Sequence, residues 1–500
     1  MLSRDSKKHS IAKSIVVYST SNLYVQVMSL LNSFIRPRLL GPEMFGLWNL
    51  LNVFITYGSY THLGTRSPIR YLLPYYESQN KRKEVETLKG TIYYSTFCMN
   101  LIFIVFIIAY SFKPGLDLTT RFGFLITSLI VLITWYNEHY INLLRGYQNF
   151  ILISKANLIR TTASFVFSII FIYLFGIYGA LFSVVLALIT STLYLKLQQV
   201  IEKHHSFNMA VFIENVKMGF FIFVFNIITV LLLTCDKLII SYLLDNKQLG
   251  LYGLAVAILT PILNIPSISR EVIEPKLMEQ IANSSTERNI DEFFIKPLMT
   301  SAYLMPFLIG PAFLVLPFFI NIFFPKYIQS IAPAQILLIG SYFLALSYTF
   351  RGIIIANKWQ NQAIPVMSIP LLVNISLSIV FIKTGFGING VAFGCSVAFL
   401  LLTLFSFIYI SRKSKYFLTA ISPKVIYLLI PFTVMCLNIY SLNYMNYIFK
   451  NSEFLNEYII IFIKLCLFIT ITLMTILYAH KKQQLNLNLN LNKYLKKFKR

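Results

Sequence analysis

Residues 39–56 read LLGPEMFGLWNLLNVFIT, and residues 243–260, 204 positions later, read LLDNKQLGLYGLAVAILT. The two align without gaps: six of the eighteen positions are identical, Gly46 stands opposite Gly250, and Trp48 stands opposite Tyr252. Any two apolar helices share leucines by chance, so this pair alone is weak evidence. Three further anchors follow in the same order. Arg66 meets Arg270 at the same offset, Arg145-Gly146 meets Arg351-Gly352 at 206, and FGIYGALF from Phe175 meets FGINGVAF from Phe386 at 211. Colinear matches with a slowly growing offset indicate two copies of one unit.

Membrane spans build each copy. Of 500 residues, 57% are hydrophobic, and the mean hydropathy is +0.68. A transmembrane helix takes about 20 apolar residues, so a soluble protein is excluded. Apolar runs predict fourteen helices, near 14–35, 45–63, 91–112, 122–142, 158–176, 179–195, 218–240, 250–268, 298–324, 331–350, 362–382, 388–410, 423–445 and 457–479. The run 298–324, with Pro306, Pro311 and Pro317, is expected to be kinked or broken. Residues 1–200 form an N-terminal six-helix bundle, 201–410 a second, 411–480 two additional helices, and 481–500 a basic cytoplasmic tail. An even number of helices per copy gives both the same orientation, related by a pseudo-two-fold axis along the membrane normal. The expected fold is all-α integral membrane, with two pseudo-symmetric six-helix bundles around a central cavity and two extra C-terminal helices.

The charge pattern orients these spans. The chain has 43 Lys and Arg against 19 Asp and Glu, a net +24. With a cytoplasmic N-terminus, 33 of the 43 fall in inner segments and nine in outer ones, and Lys464 lies within a span. That asymmetry places both termini of a multi-pass membrane protein in the cytoplasm. It also makes nucleic acid a poor partner, because the basic residues serve topology. Cys98, Cys235, Cys395, Cys436 and Cys466 sit in or at the ends of apolar runs, without CxxC spacing or a neighbouring histidine. No disulfide framework, metal site or cofactor is indicated. The N-terminal segment lacks a small-residue cleavage site and is read as an uncleaved first helix.

The segments RPRLLGPEMFGLWNL, LLRGYQNF after helix four, and CDKLIISYLLDNKQLGLYGLA across helices seven and eight resemble the polysaccharide transporter family of lipid-linked oligosaccharide flippases. These Wzx-type or O-antigen flippases belong to the superfamily that also contains multidrug extruders and the lipid II flippase. The resemblance covers essentially the whole chain. It implies movement of an undecaprenyl diphosphate-linked oligosaccharide repeat unit from the cytoplasmic to the outer leaflet, in O-antigen, capsule or exopolysaccharide synthesis. The implied partners are that lipid-linked oligosaccharide, membrane lipids and polysaccharide polymerase machinery.

Such a cargo makes chemical demands. A diphosphate carries about two negative charges and needs cations in a water-lined cavity; arginine suits it through a planar fork of donors. The candidates are Arg66, Arg270, Arg145 and Arg351, paired by the repeat, for which ordinary positive-inside placement is the competing explanation. Arg36 and Arg38 lie at the outer end of helix one, where topology disfavours arginine, with headgroup snorkelling as their alternative. Helix one also carries Tyr18, Asn22, Gln26, Ser29 and Ser33 at 3–4 spacing. That polar stripe either grips sugar hydroxyls, Asn22 and Gln26 foremost, or hydrogen-bonds to neighbouring helices. Asp236 and Glu138 are candidates for ion coupling, each with a structural ion pair as the alternative.

The expected mechanism is alternating access, with the polyprenyl tail remaining in lipid. No GxxxxGK[ST] loop is present, so an ion gradient or membrane potential is the expected driver. A lipid II flippase is the alternative by cargo. A multidrug extruder should instead favour acidic cavity residues for its cationic substrates. A polysaccharide polymerase or transferase ranks last, since the short outer connections offer little beyond Glu453 and Glu457; the chain is read as a non-enzyme.

Overall fold

The computed structural model describes residues 11–201, 206–282, 295–413, 425–449 and 457–481. Among them every regular element is a helix. Beyond its first residue, the tail expected over 481–500 lies outside the described residues, as does Glu453.

Eleven helices are long and apolar enough to cross a membrane. Two helices each supply a pair of crossings. Helix α1 (Ile11–Gly58) and helix α5 (Phe150–Leu197) each run for 48 residues, about 72 Å if straight and more than twice the hydrocarbon thickness. Both are interrupted at one glycine in the left-handed region, Gly41 at φ 72° and Gly176 at φ 56°, a conformation that costs other residues a Cβ clash. The eleven include α5 but not α1; counting the two arms of α5 separately and adding the two arms of α1 gives fourteen, the number expected.

Between and after them come α2 (Ile69–Ser78), α3 (Arg82–Ser111), α4 (Leu118–Gly146), α6 (Met209–Leu232), α7 (Cys235–Leu243) and α8 (Asn246–Ala282). Then follow α9 (Lys296–Phe323), α10 (Ile331–Ala356), α11 (Gln360–Lys383), α12 (Gly387–Lys413), α13 (Val425–Phe449) and α14 (Glu457–Lys481).

The backbone repeats where the sequence does. Gly387, equivalent to Gly176 in the FGI matches, is also left-handed, at φ 54°. The turn after α4 places Gln148 at φ 56°, and the turn after α10 places Lys358 at φ 58°. Around them the hydrogen bonds correspond one for one, with Tyr147, Gln148 and Asn149 matching Asn357, Lys358 and Trp359. These turns are 210 apart, not 206. Arg145 therefore stands three residues before its turn residue and Arg351 seven before its own, so their pairing in the sequence alignment is out of register by one helical turn.

Other boundaries differ as well. The second span stops at Gly58, not near 63, and the seventh begins at Met209 and breaks at Leu233–Thr234 into α6 and α7. Helix α9 runs unbroken through its three prolines. Proline leaves the carbonyl four residues earlier without its helical donor; at Pro317 that carbonyl belongs to Phe313, and Gln335 Nε2 of α10 donates to it at 3.4 Å.

The chain divides into two compact units. One comprises Met1–Ala257 with Asn374–Val391, the other Ile258–Val373 with Ala392–Arg500. In the first, α1 packs along α5, α4 packs between α3 and α5, and the short α2 lies on α3 and α4. In the second, α9 packs on α10, α13 and α14. Gly310 faces the Phe468 ring, Tyr342 OH donates to the Leu428 carbonyl, and Ser396 and Thr403 of α12 donate to the Ile336 and Phe343 carbonyls of α10. Small residues and interhelical hydrogen bonds hold helices together where lipid removes the hydrophobic drive.

Candidate functional site

The site begins where the second span stops early. The Gly58 carbonyl accepts from Asn100 Nδ2 at 3.3 Å, and the same amide donates to Thr61 Oγ1 at 3.2 Å. Asn100 is fully buried well inside α3, and a Cβ on Gly58 would meet Val131, midway along α4. The helix therefore ends at the depth of its neighbours' middles. Irregular backbone there is tolerated only where protein or water satisfies it. Gly64, at φ 88°, lies backbone to backbone against Gly219 of α6, so protein closes over the turn.

From this turn Arg66 reaches inward. Its Nη2 donates to the Trp135 carbonyl at 3.5 Å. Trp135 is eleven residues before Gly146, about 16 Å along α4, whereas Ile69 and Leu73 of α2 pack on Gly146 itself. Topological snorkelling would send the guanidinium toward the helix end. It points into the span instead.

There it joins three other charges. Arg160 Nη1 donates to Glu138 Oε1 at 3.3 Å, with the two side chains 30% and 23% exposed. Arg160 also donates to Asn157 Oδ1, and Arg145 to Asn142 Oδ1, both at 3.2 Å. The charges of Arg145 and Arg66 act on the same carboxylate. One guanidinium group thus contacts the carboxylate directly while two more act on it electrostatically, and the cluster is cationic overall. His139, next to Glu138 in sequence, is fully buried among the rings of Tyr93, Trp135 and Tyr140.

Arg160 falls just inside the fifth predicted span, 158–176, but carries no candidate role in the sequence reading; it stands ten residues inside α5. A usable signal existed: Asn157, Thr161, Ser164 and Ser168 repeat at 3–4 spacing with Arg160 beside them, the same pattern that singled out helix one.

Arg36 occupies a second station on that α5 face. Its Nη2 donates to Ser164 Oγ at 3.4 Å and Ser168 Oγ at 3.3 Å, and its guanidinium carbon lies 4.4 Å from the centre of the Trp48 ring. Among the described residues no carboxylate pairs with it. Arg38 is exposed. Tyr24 hydrogen-bonds to Thr162, and Asn32 to Ser164. Helix-one contacts to α5 thus use a neighbouring stripe, while Asn22 and Gln26 are half-buried with no hydrogen-bond partner among the described residues.

Asp236 opens α7 after the break. It is 2% exposed, accepts from Tyr252 OH and from the Lys237 amide at 2.8 Å, and lies beside the Lys237 charge. Across the break, Tyr57 OH and Thr234 Oγ1 are 2.8 Å apart, and Asn374 Nδ2 of α11 donates to the Leu232 carbonyl at 3.4 Å. Arg351 is half-buried near the end of α10, in the second unit. Arg270 lies on the α8 backbone, and its side chain lies outside the described residues. The first unit therefore brings together Arg66, Arg145 and Glu138 with Arg160, and sets Arg36 one to two turns farther along α5.

A family model described as polysaccharide biosynthesis protein matches residues 11–279. The chain belongs to this family. Its fold is that of the MOP-superfamily transporters. A structure of the lipid II flippase MurJ in an inward closed conformation is similar over 93% of this chain and 99% of that one, at TM-score 0.70 and 14% identity. An inward-facing multidrug resistance MATE family transporter of the MOP superfamily is similar over 80% of this chain and 98% of that one, at TM-score 0.59 and 14% identity. At such identity the likeness is one of fold. No curated protein sequence matches the chain. This family member is a multi-pass membrane protein with the fold of those transporters, and its arginine cluster lies inside a membrane-spanning unit.

Proposed function

We propose that this transporter moves an undecaprenyl diphosphate-linked oligosaccharide from the cytoplasmic to the outer leaflet by alternating access. The observation that carries this is the excess of guanidinium over carboxylate around Glu138, at membrane depth. Placing unneutralised cations among apolar helices is expensive, and a diphosphate entering the cluster offsets that cost while its own charge is sheltered. A cationic drug would meet repulsion at the same place. Asn22 and Gln26 are assigned to the sugar hydroxyls, with Arg351, Arg270 and Arg38 as further contacts.

The sidedness is that of the positive-inside pattern, with both termini cytoplasmic in a bacterial inner membrane. Asp236 and Glu138 are assigned to ion coupling, because buried carboxylates beside a break or a cation cluster can exchange a proton or cation as access alternates. The protein performs no covalent chemistry on its cargo in this scheme.

Deletion of the gene followed by lipid extraction tests it. A sugar-linked polyprenyl diphosphate accumulating on the inner leaflet is the expected result, and its mass distinguishes an O-unit from lipid II, whose head chemistry the cluster would suit equally. An unchanged lipid pool would overturn the proposal.

A further inference from the structure

Helix α5 changes character abruptly beyond Ser168. Ser168 Oγ meets Ser183 Oγ of the second arm at 3.1 Å. One turn farther on, a groove of about 690 Å³ opens between the two arms, lined by Phe171, Leu174, Phe175, Tyr178, Phe182 and Leu186. That is the size of a site for a whole small-molecule ligand, and four of these six residues are aromatic. On Ser168, three residues before Phe171 along α5, sits Arg36, whose fork is only half used. Nη2 binds Ser164 and Ser168, Nη1 has no protein partner among the described residues, and Nε is buried without one.

We infer that the first arm of α5 carries a bipartite site for a polyprenyl diphosphate, with the diphosphate on Arg36, Ser164 and Ser168 and the first isoprene units in the Phe171–Leu186 groove. This rests on the flippase proposal and assigns the cargo a pose within it. Depth decides against an ordinary phospholipid. Ser164 and Ser168 precede the Gly176 turn by twelve and eight residues, about 18 and 12 Å of helix rise, whereas a phospholipid keeps its phosphate at the interface. Polarity decides the stage of transport. From Arg160 through Arg36 to the groove, the cations lie toward the end of α5 that begins at Phe150, and the apolar surface lies toward Gly176. With that end cytoplasmic, this is the orientation of an inner-leaflet lipid, head below and chain leading upward, so the site holds cargo before reorientation. A half-used guanidinium fork beside two hydroxyls suits a diphosphate through parallel charge-assisted bonds, and stacked rings suit the flat, unsaturated isoprene unit.

The test uses the full-length protein in phosphatidylcholine nanodiscs with benzophenone-tagged geranylgeranyl diphosphate as a photoprobe. Labelled peptides should fall within residues 171–186, and untagged geranylgeranyl diphosphate should suppress them. R36Q should reduce labelling at least about tenfold, the loss expected for charge-assisted bonds, while R36K, which retains the charge but loses the fork, should fall between. Labelling confined to other segments would overturn the site. So would equal suppression by geranylgeraniol, which lacks the head, by inorganic diphosphate, which lacks the chain, or by phosphatidylglycerol. An R36Q protein that runs as a folded monodisperse species yet labels normally would remove Arg36 from it. The outcomes separate this inference from the one beneath it: normal export without labelling at 171–186 sinks the site alone, and labelling there with an unchanged lipid pool on gene deletion sinks the export scheme alone.

Discussion

Gly46 and Gly250, equivalent positions of the two sequence repeats, lie backbone against backbone. A Cβ on Gly46 would fall on the Asn246 carbonyl, and one on Gly250 would fall on the Pro42 carbonyl, itself the repeat equivalent of Asn246. One turn on, a Cβ on Gly253 would meet the side-chain amide of Asn49, again its equivalent. The contact is thus its own image under the repeat, as a pseudo-two-fold axis requires. Trp48 and Tyr252 flank it, one receiving Arg36 and the other donating to Asp236. Equivalent aromatics on one scaffold therefore hold opposite charges.

Alanine at Gly46 or at Gly250 should destabilise the protein by similar amounts, about 1–3 kcal/mol each, because either Cβ forces the same two helices apart. Gly41→Ala meets open space and carries only the penalty of its positive φ, about 1 kcal/mol. Thermal unfolding in one detergent would compare the three. Unequal losses at 46 and 250 would count against the symmetric contact.

Arg160→Ala should abolish export and cost about 1–3 kcal/mol, since it strips Glu138 of its direct partner in a partly exposed pair. Glu138→Gln should leave the fold intact and bind a polyprenyl diphosphate more tightly while turning over more slowly, because the cations then lack a resident competitor. Export assays combined with direct binding to the purified variants would show the split.

Between the two outer arginines the outcomes should diverge. Arg36→Gln is expected to stop export without blocking membrane insertion, and Arg38→Gln, at an exposed position, to reduce it far less. Surface polysaccharide per unit of inserted protein is the quantity to compare.

Tyr252→Phe removes the hydroxyl donor from buried Asp236 and should cost about 1–3 kcal/mol, the penalty for under-satisfying a buried polar group. If Asp236 couples transport to an ion, Asp236→Asn should leave residual flipping in vesicles insensitive to collapse of the proton and sodium gradients. Undiminished gradient dependence would exclude that role.

Cysteines placed at 60 and 62 probe the early end of the second span. A turn lining a wet path should react with a membrane-impermeant thiol reagent, although Gly58 beside it packs near the middle of α4. Complete protection would mean that the turn is sealed from water in the dominant state.

The spans and the sequence repeat were legible because each follows from local composition or from register along the chain. Gly176 and Gly387 could be matched from FGI alone, and their left-handed backbones agree. Arg160 lies on a polar stripe visible in the sequence, but that Glu138 of another helix meets it there is decided only by packing. The exact place of the break at Gly58 was hidden. Residues 58–67, GSYTHLGTRS, are polar enough to end a span, but the stop at Gly58 itself is held by Asn100 from another helix offering its amide to the Gly58 carbonyl.

The linear order of residues was sufficient to determine an all-helical membrane protein, since lipid obliges each apolar run of that length to become a helix that satisfies its own backbone. Only the tertiary structure decided which arginines are paired with Glu138, which is half free beside an apolar groove, and which merely faces outward. Those outcomes depend on side chains from α1, α3, α4 and α5 meeting at one depth. Such a meeting is set by where helices end and how closely glycines let them approach, and no single segment encodes it.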